Sequence, residues 1–333
     1  MGLLKVTVIV TVLDDPRLAR TLASLRAQTR PADVVLIADG GNSPEIARIC
    51  EEYHREDPAF VRLAAPGSIA ETRNQAIRAV TTELIAFLDT DEVAPADWLG
   101  TLIAPLLADD RVGWTGGPTP ALGGTTPNRT TRYYSAYLDK FYRDVARTKT
   151  TAIPMGNSAW KPRLFEEVGA LIVDLPKSGG EDPDIENRAA ARGWRGVYVE
   201  EAHVYHDYSE FTFWSLLKKQ YRYARGGYVV WRAHGTTYEA SGGDVAYVLL
   251  PFLAVVGAVV AVLPWGWLPL VGWAVLGIAA VGFALLFGRL AIQGRRGEAQ
   301  YPGYRYRPLI EPFRKWATVL GALEAMLARG RRM

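Results

Sequence analysis

The sequence has almost no cysteine, little net charge and no hydrophobic leader. Cys50 is its one cysteine, which excludes an intramolecular disulfide and fits a reducing compartment. A formal net charge of +3, with no arginine-rich groove and no nucleic-acid motif, excludes any argument for nucleic-acid binding. Met1 to Lys5 leads straight into a strand-like run, without the apolar core or cleavage site of a signal peptide. The expectation is that the N-terminal part stays in the cytosol. A further absence is local: Val245 to Gly288 contains no charged residue, although 22% of the chain is charged.

What is present divides accordingly. The 333 residues allow two modest domains, or one large domain with an appendage. Residues 1 to 243 have soluble character, and their patterning alternates. Val6 to Val12 is a β-branched apolar run that reads as a buried strand ending in Leu13-Asp14-Asp15-Pro16. Arg17 to Gln28 places Leu18, Leu22 and Leu25 at helical spacing. A strand from Asp33 to Ala38, a helix from Pro44 to His54, a strand from Phe60 to Leu63, a helix from Ile69 to Val80 and a strand from Leu84 to Leu88 follow. This βαβα order predicts an α/β fold on a mostly parallel sheet with right-handed crossovers. Further on, Val112 to Thr115 and Val197 to Val199 read as strands. Thr119 to Thr131 reads as a mobile loop. Arg132 to Val145 carries Tyr133, Tyr134, Tyr137, Phe141 and Tyr142 at helical spacing, suited to core packing or to a platform for sugars or lipid headgroups.

The chemistry concentrates where the strand Leu84 to Leu88 stops in Asp89-Thr90-Asp91-Glu92. Ligands of open α/β sheets collect at such C-terminal strand edges. Residues two apart in an extended chain project to one side, so Asp89 and Asp91 can converge on one hard divalent cation that bridges them to phosphate oxygens. A solvated turn uses the same residues. The segment resembles the Asp-x-Asp motif of inverting family-2 glycosyltransferases, enzymes of the GT-A nucleotide-sugar-binding fold. Further stretches, in that family's order, carry the resemblance over about residues 5 to 230.

The resemblance implies a role for each stretch. Thr11, Val12 and Asp14 after the first strand would line the base and ribose, and Asp39 after the second would meet the uracil or its equivalent, with a UDP-sugar favoured. The common double acid is Ala38-Asp39 here, and Gly41 stands where serine is usual, which leaves the base open. Pro66 to Ile77 is similar to the family's Gly-x-x-x-Ala-Arg-Asn-x-Gly segment, whose arginine, here Arg73, approaches the diphosphate at a helix N-terminus, where free N–H groups and a guanidinium both favour phosphate. Gly156-Asn157 matches the stretch beneath the donor sugar. Lys177 to Arg188, running on to Gly193-Trp194, resembles Gly-Glu-Asp-x-Asp-Leu…Arg…Gly-Trp; Asp182 would be the general base and Glu181 its neighbour contacting the acceptor. The same residues read as a well-capped helix, with acids in the first turn and Gly193 past the end. His206 lies in a His-x-x-Ser element near the donor phosphates and would join Asp89 and Asp91 in holding Mg²⁺ or Mn²⁺.

The uncharged region predicts membrane attachment. Val245 to Leu263 and Trp267 to Gly288 are each close to the ~20 residues that cross a bilayer, and Pro264-Trp265-Gly266 joins them. Arg222, Arg225 and Arg232 precede the pair, and Arg289, Arg295 and Arg296 follow it, so both ends are expected on the cytoplasmic side. Phe211 to Trp231 mixes aromatics with Lys218, Lys219, Arg222 and Arg225, as an interfacial helix does. Gly235 to Gly243 is a polar linker. Phe313, Trp316, Leu320, Leu323 and Leu327 form an apolar face in the tail, closed by Arg329, Arg331 and Arg332, suited to a membrane surface or to a partner.

These readings predict a cytosolic catalytic domain over residues 1–210, an interfacial helix and linker over 211–243, a transmembrane hairpin over 244–289 and a cytoplasmic tail over 290–333. The implied function is metal-dependent transfer of a hexosyl group from a nucleotide-sugar to a hydroxyl of a lipid-linked or other glycan acceptor in polysaccharide or glycolipid synthesis. A polyprenyl phosphate is already an anion and needs no base, so Glu181-Asp182 favours a hydroxyl acceptor over it. Gln220-Tyr221-Arg222-Tyr223-Ala224 lacks the Gln-x-x-Arg-Trp of processive polymerases. A non-catalytic membrane scaffold on a degenerate fold is the alternative of another class.

Overall fold

The structure, a computed structural model, describes residues 4–148, 154–172, 179–235 and 245–329. The expectations placed on Lys177, Ser178, most of the polar linker, Arg331 and Arg332 lie outside the described residues. The chain forms two compact units. The first comprises Met1–Thr126, Leu138–Glu210 and Val229–Thr236; the second comprises Pro127–Tyr137, Phe211–Tyr228 and Thr237–Met333.

In the first unit, β1 (Val6–Val12), α1 (Leu18–Arg26), β2 (Val34–Asp39), α2 (Pro44–Glu56), β3 (Phe60–Ala64), α3 (Ile69–Ala79) and β4 (Leu84–Asp89) follow in the alternation the sequence predicts. Every residue of β1 is buried. Val6, Val8, Val10 and Val12 pack with Leu18 and Leu22 of α1 and Ile46 and Ile49 of α2 on one face. Ile9 packs with Ala70 and Ala76 of α3 on the other. Burying such side chains supplies ~1.5–3 kcal/mol each, and Thr7 and Thr11 are buried beside Ile9 on that second face.

Beyond β4 the chain forms β5 (Glu92–Val93), α4 (Trp98–Ala108), β6 (Val112–Gly116), α5 (Arg129–Thr148), β7 (Asn157–Trp160), α6 (Pro162–Val168), α7 (Glu181–Ala190), β8 (Arg195–Tyr198) and β9 (Tyr205–His206). The main sheet has seven strands in the order β3-β2-β1-β4-β7-β6-β8. It is mixed rather than wholly parallel, because β7 runs antiparallel to both β4 and β6. Asn157-Ser158-Ala159-Trp160 carries no apolar alternation, so the sequence does not announce this strand. Its polar side chains are instead satisfied inside the protein: Ser158 accepts from Trp160 Nε1 at 2.7 Å and donates to the Met155 carbonyl at 2.7 Å.

A second, two-stranded sheet pairs β5 with β9, with His206 opposite Glu92. The stretch expected as a mobile loop is tied to it: Leu122 N donates to His206 O at 2.8 Å, and His206 N donates to Pro120 O at 2.8 Å. Helix α5 starts at Arg129, inside that stretch.

The second unit contains the first part of α5, most of α8 (Phe213–His234), and α9 (Val245–Ala261), α10 (Leu268–Gly297) and α11 (Arg307–Arg329). The two expected spans correspond to α9 and α10, with a difference. Among the described residues, only Leu268–Gly297 is long and apolar enough to cross a membrane; the apolar part of α9, Leu249–Ala261, is shorter. The second segment also continues past Gly288 through Arg289, Arg295 and Arg296 before it ends. The two helices approach closely at small residues: a Cβ on Gly272 would lie 2.1 Å from the Ala261 backbone nitrogen.

Candidate active site

Strand register sets the site. Thr11 is opposite Asp89 across β1 and β4, Val12 is opposite Asp39 across β1 and β2, and Leu88 is opposite Asn157 across β4 and β7. Four strand ends from distant parts of the sequence therefore meet at one edge. Thr90 locks two of them by donating its hydroxyl to the Thr11 carbonyl. The loop after β1 turns at Asp14, whose φ of 51° is left-handed. Aspartate tolerates this at modest cost because its short side chain bonds locally. Its carboxylate sits against Gly41, where a Cβ would fall 2.3 Å from Asp14 Oδ1. The glycine that departs from the family's usual serine thus makes room for Asp14.

A buried guanidinium gathers the acids. Arg73, on the second turn of α3, is 4% exposed. Its Nη2 donates to Asp89 Oδ1 at 2.9 Å, and its Nη1 lies 3.5 Å from Glu181 Oε1 and 3.7 Å from Asp182 Oδ1. Helix α3 is set by a capping box in which Ser68 accepts from Glu71 N and Glu71 reaches back to Ser68 N at 2.7 Å. Burial works against the charge on Arg73, but Asp89, Asp182 and Glu181 overcome it and raise its pKa. Burial, reinforced by the neighbouring Glu181 charge, pushes Asp182 up to about 7, against a weaker opposing pull from Arg73. Asp182 Oδ2 accepts from Met155 N at 3.2 Å, and Glu181 Oε2 accepts from Gly179 N at 2.7 Å. Gly156 lies beneath Asp89: a Cβ there would be 2.3 Å from Asp89 Oδ2. Gly156 therefore seats this carboxylate.

Asp91 has different company. Its Oδ2 is 3.4 Å from His206 Nε2 and 3.8 Å from Arg17 Nη2, and His206 stacks on Tyr208 with ring centroids 4.3 Å apart. Asp89, Asp91 and His206 are thus not gathered as one cluster; among the described residues no group of three or more His, Cys, Asp or Glu is placed to hold a metal ion. Asp89 turns to Arg73, while Asp91 turns to His206. A carboxylate beside an imidazole still fits a divalent cation whose remaining ligands are phosphate oxygens and water, since Mg²⁺ in phosphate sites takes only one or two protein carboxylates.

Two expected contacts are occupied internally. Asp39 is 1% exposed; its Oδ2 accepts from Arg62 Nε and Nη2 at 2.9 and 2.6 Å, and its Oδ1 accepts from Gly41 N at 3.0 Å. Asn157 is fully buried, accepts from Trp98 Nε1 at 2.8 Å, and donates to the carbonyls of Pro118 and Ala202 at 3.1 and 2.8 Å. Its amide protons are spent on the scaffold, so it supports the site from below. Sequence reasoning missed Arg17 and Arg62. Arg17 is clamped by Asp15, with Nη2 to Oδ2 at 2.6 Å, and it donates to Asp207 O at 3.3 Å. Its only signal was an arginine just before α1, which also describes a surface residue.

Residues 7–169 match the model for Glycosyl transferase family 2. The chain carries a family 2 glycosyltransferase domain. It is 28% identical over 233 residues to the succinoglycan biosynthesis protein ExoM of Rhizobium meliloti (strain 1021), covering 66% of this chain and 74% of that protein. Among solved structures it resembles mannosyltransferase PcManGT from Pyrobaculum calidifontis, determined in complex with GDP-Man and Mn²⁺. That match has a TM-score of 0.57 at 18% identity and covers 97% of this chain and 87% of the other. The likeness establishes the GT-A fold. The glycosyltransferase is therefore an α/β enzyme whose mixed, mostly parallel sheet positions the residues described above.

Proposed function

We propose that this glycosyltransferase moves a sugar, with inversion, from a nucleoside-diphosphate sugar to a hydroxyl of a glycan acceptor held at a membrane, most simply a lipid-linked one. One observation carries the reading: Arg73 draws Asp89, from a strand end, and Glu181 and Asp182, from a helix start, around a single guanidinium. Asp182 is the proposed base. A carboxylate pushed up to about 7 is well matched to taking a proton from a hydroxyl near neutral pH and holding it as the acceptor oxygen bonds to the anomeric carbon. Glu181 would orient that acceptor. Asp91 and His206 would hold Mg²⁺ or Mn²⁺, with Asp89 on the same strand end; when bound, the ion supplies charge neutralisation at the departing diphosphate. The Thr11 to Asp14 turn would line the nucleoside.

The family supports a nucleotide-sugar donor, and the relative named for succinoglycan biosynthesis supports a glycan acceptor. The UDP-sugar preference rests on the resemblance around Asp39, which Arg62 encloses here. Membrane attachment would run through α10, with α9 as a shorter second span, both ends cytoplasmic, and α8 at the interface. The testing experiment is release and transfer from a panel of UDP-, GDP- and dTDP-sugars by detergent-purified protein, with Mg²⁺, Mn²⁺ or EDTA. Metal-dependent release of one nucleoside diphosphate, lost in Asp91→Asn, is expected. No turnover and no nucleotide binding across the panel would sink the catalytic reading. Full activity in Asp182→Asn would instead favour a phosphate acceptor.

A further inference from the structure

Helix α11 is amphipathic in the reverse of the usual sense. Its buried face carries charge beside Ile310, Ala317 and Ala325: Glu311 and Arg314 are 3% and 2% exposed. Arg314 Nε and Nη2 donate to the two carboxylate oxygens of Glu311 at 2.9 and 3.0 Å, its Nη1 donates to Gln220 Oε1 of α8 at 3.0 Å, and Tyr133 donates its hydroxyl to Glu311. The arginine also lies over the Tyr137 ring, 4.3 Å from its centroid. This is a fully partnered polar core, and a Cβ on Gly321 would meet the Tyr221 carbonyl of α8 at 2.2 Å, so the two helices are in close contact. The outward face is the apolar one. Leu309, Phe313, Leu320, Leu323 and Leu327 are between 42% and 67% exposed. With the half-buried Trp316 they recur at three- and four-residue steps, so all six fall on one stripe.

A helix that buries an ion pair and exposes its leucines is arranged for an apolar surrounding. Two observations within the same unit say which. The stripe belongs to a body that also exposes Leu270, Trp273, Ile278 and Leu285 along α10, the helix long enough to cross a bilayer. The unit is also strongly basic: by sequence it carries sixteen Lys and Arg against five Asp and Glu, whereas the whole chain has 38 against 35. A basic body with an apolar helix face suits anionic headgroups above acyl chains. Phe313 is T-shaped against Phe213 and against Trp316, next to the exposed Trp214. Aromatics of this kind settle at the headgroup level.

We infer that α11 lies in the plane of an anionic bilayer surface, with the stripe from Leu309 to Leu327 sunk into the boundary between headgroups and acyl chains. This rests on the reading of α10 as a span. The helix is thereby a second anchor, which resists rotation of the unit about α10.

The test uses the full chain with Cys50 replaced by alanine and single nitroxide labels at Phe313, Leu320, Leu327, Ile278 and Arg305. The protein is placed in nanodiscs of equal parts phosphatidylcholine and phosphatidylglycerol, and collision rates with oxygen and with a water-soluble nickel chelate are measured. Oxygen-to-nickel ratios at the three stripe positions several-fold above that at Arg305 are expected, with Ile278 higher still. Nickel access at the stripe while Ile278 stays oxygen-rich would overturn the inference and leave the span intact. Exclusion of both reagents from the stripe would also overturn it, in favour of a protein partner. Nickel access at Ile278 would fell the span and the inference together. In discs of phosphatidylcholine alone the stripe ratios should drop; unchanged ratios would overturn the electrostatic part.

Discussion

Arg73 Nη2 donates to Asp89 Oδ1 at 2.9 Å, with the guanidinium 4% exposed and the two proposed acceptor-side acids on its other nitrogen. The arginine that the family resemblance assigned to the diphosphate is here the hub of a carboxylate cluster. Arg73→Met would leave three acids without their cation. Arg73 and Glu181 are both buried, and removing one partner of a buried charge pair costs about 3–5 kcal/mol, so a clear fall in the urea midpoint is expected, together with loss of turnover. Arg73→Lys keeps the charge but not the fork and should lose less stability. A midpoint unchanged in Arg73→Met would show that the cluster is not what holds this edge.

Gly156 should be intolerant of a side chain. A Cβ would lie 2.3 Å from Asp89 Oδ2, so Gly156→Ala must displace that carboxylate or the strand. Overpacking of this kind costs roughly 1–3 kcal/mol. The expected signature is a kcat loss out of proportion to a modest fall in thermal midpoint. Wild-type kcat in Gly156→Ala would mean that the position of Asp89 does not matter to the reaction.

Asn157 should behave in the opposite way. Asn157→Ala strands Trp98 Nε1 and the carbonyl of Ala202, while the Pro118 carbonyl keeps the N–H of Val204. Each unsatisfied buried group costs about 1–3 kcal/mol, so stability should fall by several kcal/mol in denaturant unfolding. The donor KM of the protein that remains folded should be unchanged. A raised KM with little loss of stability would restore Asn157 as a ligand contact.

The contrast between these two neighbours shows what the sequence disclosed. The βαβα alternation was legible because β1, β2 and β4 are apolar runs bounded by polar turns, and their C-terminal ends located the site. β7 was not legible: it buries Ser158 against its neighbours Met155 and Trp160, and Asn157 against Trp98, Pro118 and Ala202, long-range partners that leave no local pattern. For the same reason the sequence joined Asp89 with Asp91, two residues apart, whereas in the fold one turns to Arg73 and the other to His206. Arg17 and Arg62 went unnoticed because a guanidinium before a helix or within a strand looks the same whether it faces water or clasps Asp15 or Asp39. The exposed stripe of α11 was visible as a periodicity. Its inversion was not, because which face is buried depends on Gln220 and Tyr133, far away in the chain.

Metal removal separates the two halves of the acidic motif. Asp91 and His206 are 3.4 Å apart, so His206→Ala should raise the Mn²⁺ concentration giving half-maximal turnover by more than the ~10–100-fold seen when an outer-shell partner is lost. Saturating Mn²⁺ should restore much of the rate. EDTA should abolish turnover of the wild type. An unshifted Mn²⁺ dependence in His206→Ala would remove the histidine from the metal site.

Asp182 makes the sharpest pH prediction. Burial and the charge of Glu181 push its pKa from an ordinary 3.8 up to about 7. As a base it acts only when deprotonated, so kcat should fall about tenfold per pH unit below that value, and Asp182→Asn should lower kcat by roughly 10²–10⁴ with the donor KM little changed. Stability should move the other way. Between its unfolded and folded pKa values the folded protein holds a proton that the unfolded chain has released, so this residue's contribution to stability diminishes as pH rises from about 4 to about 7. Asp182→Asn cannot titrate and should flatten that slope while abolishing the acidic limb of whatever rate survives. A variant that lost activity yet kept the wild-type slope of stability against pH would show that the titrating group lies elsewhere. The proton would then have to be taken by another residue of the cluster, and Glu181, 3.5 Å from the same guanidinium, would be the next to test.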